Sequence, residues 1–134
     1  SSVLIHRSVF ESVGLFDETL PACEDYDLWL RICARYPVHY LDEPLVVKYG
    51  GHPDQLSRRI WVLDRFRVQA LEKSLESGVL GDDDREATLR ILLEKIEILI
   101  AGAVKREKWD DVDAYRLKRQ QWEDQVPMEP VVDS

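Results

Sequence analysis

At 134 residues, with 45% hydrophobic and 33% charged side chains, the chain has the composition of an ordinary folded domain, which excludes a disordered or fibrous protein. A formal net charge of −8 argues against a nucleic-acid binder, because neutralising a phosphate backbone takes clustered Lys and Arg. No apolar run is long enough to span a bilayer, and the opening Ser-Ser-Val-Leu-Ile-His lacks the basic flank and long apolar core of a signal peptide.

The charge deficit is shared along the chain. Residues 1–57 carry 4 basic and 9 acidic side chains, and residues 58–134 carry 14 and 17. Two cysteines, Cys23 and Cys33, are too few for a zinc site and read as free thiols acting as small core residues in a reduced, cytoplasmic protein.

In chain order, Ser2–Ile5 reads as a short buried strand. The segment from Arg7 to Val13 reads as a helical turn or two with Val9, Phe10 and Val13 on one side, stopped by Gly14. A second helix is expected from Glu24 to Tyr36, ended by Pro37, with Trp29, Ile32, Cys33 and Tyr36 as its core-facing stripe. Val38–Leu41 and Leu45–Tyr49 read as strands flanking an Asp-Glu-Pro turn. Gly50-Gly51-His52-Pro53 is a loop whose backbone can approach a ligand closely.

From Arg58 the pattern becomes that of long helices. Ile60, Leu63, Phe66, Ala70 and Leu71 stripe one that ends at Gly78. The next starts at Asp82-Asp83-Asp84, where the helix dipole favours carboxylates, and carries Leu89, Leu92, Leu93, Ile96, Leu99, Ile100 and Ala103. A third starts near Asp110 with Val112, Tyr115 and Trp122 inward. The expected class is therefore α/β: a helix-rich α/β part over residues 1–57, a helical hairpin or three-helix extension over 58–125, and a flexible tail over 126–134.

Three features within residues 21–57 bear on chemistry. Glu24-Asp25-Tyr26-Asp27 puts three carboxylates in the first turn of a helix, which either satisfies the helix dipole or supplies a general base. His52 is either a loop spacer or a ligand, and Asp54-Gln55-Leu56-Ser57 is a plausible helix cap. Together, Pro21-Ala-Cys-Glu-Asp-Tyr-Asp-Leu-Trp-Leu-Arg31, the preceding Val13-Gly-Leu-Phe-Asp-Glu18 and the later Gly50-Gly-His-Pro-Asp-Gln-Leu-Ser57 resemble the acceptor-side motifs of family 2 inverting glycosyltransferases with the GT-A fold, the last matching a subset of bacterial members.

That resemblance, which covers residues 2–57, implies a nucleotide-sugar donor, a glycan or lipid-linked acceptor hydroxyl, and no nucleic acid. It implies Asp25 as the catalytic base, Glu24 as its partner in holding the acceptor, and Trp29 as a candidate for the acceptor floor. It also implies His52 as a ligand of a Mn2+ or Mg2+ ion that holds the donor diphosphate. The family's Asp-x-Asp donor motif sits at a strand end. The three matches here, at Asp25–Asp27, Asp82–Asp84 and Asp111–Asp113, all open helices and none fits. The sequence therefore reads as the carboxy-terminal part of such an enzyme, with the donor half absent and no turnover expected from the isolated piece. Gln55-Leu-Ser-Arg58 is followed by Arg59 rather than Trp, so the Gln-x-x-Arg-Trp signature of processive synthases is missing and one sugar per encounter is expected.

The expected location is the cytoplasm, or the inner face of the membrane. Strands without neighbours leave an open sheet edge, so self-association of the chain is expected as well. The rival reading is a helical protein–protein interaction module without catalysis, although no internal repeat of fixed period supports a solenoid.

Overall fold

In a computed structural model, which describes residues 2–47, 49 and 60–127, all regular secondary structure is helical. The helices are α1 (Arg7–Val13), α2 (Glu24–Cys33), α3 (Ile60–Glu76), α4 (Asp82–Lys105) and α5 (Trp109–Glu123). Helix α4 packs against both α3 and α5. Helix α2 lies against α3, and the short α1 against α2.

The spacing of apolar residues explains the centre of the molecule. Leu89, Leu92, Ile96, Leu99, Ile100 and Ala103 follow the helical period along α4 and are all buried, with Leu93 partly so. Val68, Leu71 and Leu75 meet them from α3, and Val112 and Trp122 from α5. Each large apolar side chain removed from water here contributes about 1.5–3 kcal/mol. The Trp122 indole is 7% exposed, and its Nε1–H donates to Glu72 Oε2 at 2.9 Å, so burial leaves no orphaned donor. Lys118 reaches the other oxygen of Glu72 at 2.7 Å, tying α5 to α3.

The turns follow from backbone demands. Gly14, at φ 82°, ends α1 and donates its N–H to the Phe10 carbonyl at 2.8 Å. Gly78, at φ 70°, follows α3. At the start of α1, His6 Nδ1 accepts the Ser8 N–H at 3.1 Å and serves as the cap.

The α/β class expected from the sequence is corrected: no strand occurs among the described residues. Ser2–Ile5 and the apolar runs at 38–41 and 45–49 are irregular wherever they are described. A strand needs a neighbour to pair its backbone groups and a layer to cover its apolar face. Among the described residues these runs have neither. Leu4 is fully exposed, Tyr40 is 87% exposed and Val47 76%.

Two smaller corrections concern α2. It stops at Cys33 and continues only as turns to Tyr36. Its buried residues are Asp27, Leu28 and Ile32, while Cys33 is exposed and Trp29 and Tyr36 are half-buried. The buried face is thus rotated by about one residue from the expected stripe, because an ion-paired Asp27 faces inward. Cys23 and Cys33 are both free, and only Cys23 is partly buried.

Candidate active site

The start of α2 is built without a side-chain cap. Its N-cap residue, Cys23, has φ 60° and ψ 25°, a left-handed conformation that an L-residue with a side chain adopts at a cost of about 1–3 kcal/mol. Asp27 N–H donates to the Cys23 carbonyl at 3.0 Å and opens the helical ladder. The Cys23 thiol donates to the Leu63 carbonyl of α3 at 3.5 Å, and burial pushes the thiol pKa up. The carboxylates of the first turn stand in for the missing cap. Asp25 Oδ1 accepts the Tyr26 N–H at 2.8 Å.

Those carboxylates divide into two kinds. Glu24 and Asp25 are exposed. Asp27 is 1% exposed and meets two cations. Arg31, one turn along α2, donates from Nε to Asp27 Oδ2 at 3.1 Å. Lys73 of α3 contacts both carboxylate oxygens, at 3.1 and 3.2 Å. Arg31 also donates to the Val13 carbonyl and, at 2.6 Å, to that of Leu15. Lys73 also donates to Asp17 Oδ2 at 2.9 Å. Asp17 in turn accepts the Thr19 N–H at 3.0 Å and the Thr19 hydroxyl at 2.6 Å. The Thr19 hydroxyl, followed by Lys73, holds the Asp17 carboxyl far below the usual carboxylate range. One buried carboxylate thereby binds the 13–19 loop, α2 and α3 together.

A second buried carboxylate lies on α3 beneath the start of α2. Asp64, 2% exposed, accepts from Arg67 Nη1 at 2.9 Å and faces Lys95 of α4 at 3.5 Å. The Asp64 hydrogen bond raises the Arg67 pKa. Burial raises the pKa of Tyr26, whose hydroxyl lies within electrostatic range of Arg67 and Asp64. Among the described residues every buried side-chain polar atom has a partner.

Of the residues singled out in the sequence, Glu24, Asp25 and Trp29 belong to one helix. At about 100° per residue, Trp29 lies about 40° around the helix from Asp25 and one turn further on, so the two share a face. His52 lies outside the described residues. Among the described residues no group of three or more His, Cys, Asp and Glu side chains is arranged to hold a metal ion. Sequence reasoning counted Asp27 among the carboxylates of the turn without giving it an inward, ion-paired place, and it passed over Arg31, Lys73, Asp64 and Arg67. The Asp27–Arg31 spacing of four was a visible signal. Lys73 lies 46 residues from Asp27, and no local pattern connects them.

No family model matches the chain, and no solved structure matches it. The chain is 41% identical over 59 residues to an uncharacterised glycosyltransferase of Rickettsia felis, covering 44% of this chain and 10% of that protein. Against an uncharacterised glycosyltransferase of Rickettsia bellii it is 42% identical over 59 residues, covering 44% of this chain and 8% of that protein. A longer and weaker similarity, 29% over 118 residues, relates it to an uncharacterised glycosyltransferase of Rickettsia prowazekii and covers 87% of this chain and 35% of that protein. The chain thus spans between 8% and 35% of the length of these relatives. No helix among the described residues is long and apolar enough to cross a membrane.

Proposed function

We propose that the protein carrying this chain is a glycosyltransferase, and that this chain supplies the carboxylates facing the acceptor. The observation that carries the reading is the division of the acidic turn: Asp27 is buried and paired, while Glu24 and Asp25 stay exposed on a fixed helix, next to Trp29. Similarity to proteins named glycosyltransferases gives the exposed pair its reaction class.

In the proposed reaction Asp25 takes the proton of an acceptor hydroxyl as that oxygen attacks the anomeric carbon of a nucleotide-diphosphate sugar. An alcohol is a weak nucleophile until a positioned base removes its proton, a contribution of about 10²- to 10⁴-fold in rate. The carbon–oxygen bond to the diphosphate breaks as the new glycosidic bond forms on the opposite face, which inverts the anomeric centre. Glu24 holds the acceptor, and Trp29 offers an apolar wall for a sugar ring. One transfer per encounter, as in family 2 enzymes outside the processive synthases, completes the reading. A divalent cation with His52 among its ligands belongs to the same proposal, and none of these steps is routed through it.

The test is transfer by the protein that carries this chain, assayed with a panel of nucleotide sugars. Asp25→Asn is expected to reduce transfer by about 10²-fold or more while donor binding is unchanged. Full turnover in that variant removes Asp25 from the base role.

A further inference from the structure

We propose that Lys73, a residue of the long helix α3, is a positioning residue for the Glu24–Asp25 pair and acts through the buried carboxylate of Asp27. The inference rests on the reading of Asp25 as the base. It makes the helical part of the chain a working component of the site.

The geometry runs in four steps. Asp27 is a carboxylate with 1% exposure, and such a group is tolerated only when charge-compensated. Its second cation comes from outside α2: the Lys73 ammonium is 3.1 Å from Oδ1 and 3.2 Å from Oδ2. That contact fixes the rotation of α2 about its own axis. At about 100° per residue, Asp25 stands about 160° from Asp27, so holding Asp27 against α3 turns Asp25 to the open side. Finally, Lys73 also holds Asp17 at 2.9 Å, and Arg31 holds the carbonyls of Val13 and Leu15. The loop that leads into the acidic turn is therefore locked by the same charges.

A further apolar residue on α3 would have served cohesion alone. Replacing a buried ion cluster with well-packed apolar side chains is often neutral or stabilising. What the cluster adds is direction: together with the buried Leu28 and Ile32, the Lys73 ammonium keeps Asp27 on the side of α2 that faces α3. A nucleophile's base must be held in the attacking geometry, and a misplacement of about 1 Å lowers the rate by about 10²-fold.

The gentle probe is Lys73→Met, since the Lys73 side chain is 45% exposed and the substitution keeps its length. Lys73→Arg, which keeps the cation, is the rescue variant. Amide hydrogen exchange on this chain reads the positioning without any substrate. Lys73→Met is expected to speed exchange at residues 27–31, whose amides close the first turns of α2, by about tenfold, to leave the α4 amides around Ile96 unchanged, and Lys73→Arg is expected to restore the slow rate. In the transfer assay the same variant lowers kcat per folded molecule by about tenfold at unchanged donor KM.

Unchanged exchange at 27–31, or acceleration spread evenly through α3, α4 and α5, overturns the proposal. So does wild-type kcat in Lys73→Met when Asp25→Asn is inactive, and in that case the base reading survives. Wild-type turnover in Asp25→Asn removes the base reading instead, and the exchange result still decides whether Lys73 orients the acidic turn.

Discussion

The two parts of this chain are held together by different physics. Helices α3, α4 and α5 share an apolar core in which Leu92 and Ile96 are completely buried. The described part before α3 buries only Leu28 and Ile32 among its apolar side chains, adds the charge contacts of Asp27, Arg31, Lys73 and Asp17, and leaves Leu4, Tyr40 and Val47 in water. The contrast teaches where precision is kept: the stable bundle is the platform, and the charge-locked turn on its flank presents the exposed carboxylates.

The largest effect that separates the two parts should come from the bundle. Ile96→Ala leaves a cavity at a site with no exposure and is expected to cost about 2–5 kcal/mol, read as a lower urea midpoint with unchanged slope. Because the charge cluster does not involve Ile96, the folded variant should keep slow exchange at residues 27–31. Fast exchange there would erase the proposed division of labour.

A smaller effect of opposite sign is expected at the acidic turn. Cys23→Gly removes the side chain from a left-handed backbone position and should stabilise the chain by about 1 kcal/mol. The loss of the weak thiol contact to the Leu63 carbonyl offsets only part of that gain. A lower melting temperature in this variant would mean that the thiol contact outweighs the backbone strain.

The smallest effect is a pH dependence. The Asp17 carboxyl has a folded-state pKa below its ordinary 3.8, so its contribution is present above that value and fades as pH falls through the folded-state value. Below pH 4 Asp17→Asn should therefore lose less stability on acidification than the parent chain. Salt should shrink the difference, since Asp17 and Lys73 are solvent-accessible. Identical acid limbs would remove Asp17 from the lock.

How much of this was legible in the sequence differs between the same two parts. The apolar set of α4 was readable residue by residue, because a helix repeats its own period and its burial can be counted locally. The stop of α1 at Gly14 was readable from cap chemistry, and the start of α2 at Glu24 from the acidic residues of its first turn. The runs at Ser2–Ile5, Val38–Leu41 and Leu45–Tyr49 have strand-like composition, yet a strand is a property of a pair, and no partner is present among the described residues. In the acidic turn the residue types were legible and their sorting was not. Which carboxylate turns inward depends on Lys73, and contacts of that separation leave no local periodicity.

The most direct measurement compares Asp25→Asn with Asp27→Asn in the protein that carries this chain, following sugar transfer and thermal unfolding together. The account predicts a clean exchange of effects. Asp25→Asn should lose about 10²-fold or more in transfer with less than about 1 kcal/mol of stability lost, and Asp27→Asn should lose about 1–3 kcal/mol of stability because it removes the buried carboxylate that Arg31 and Lys73 share. Retained transfer in Asp25→Asn, or equal losses of stability in both variants, would contradict it.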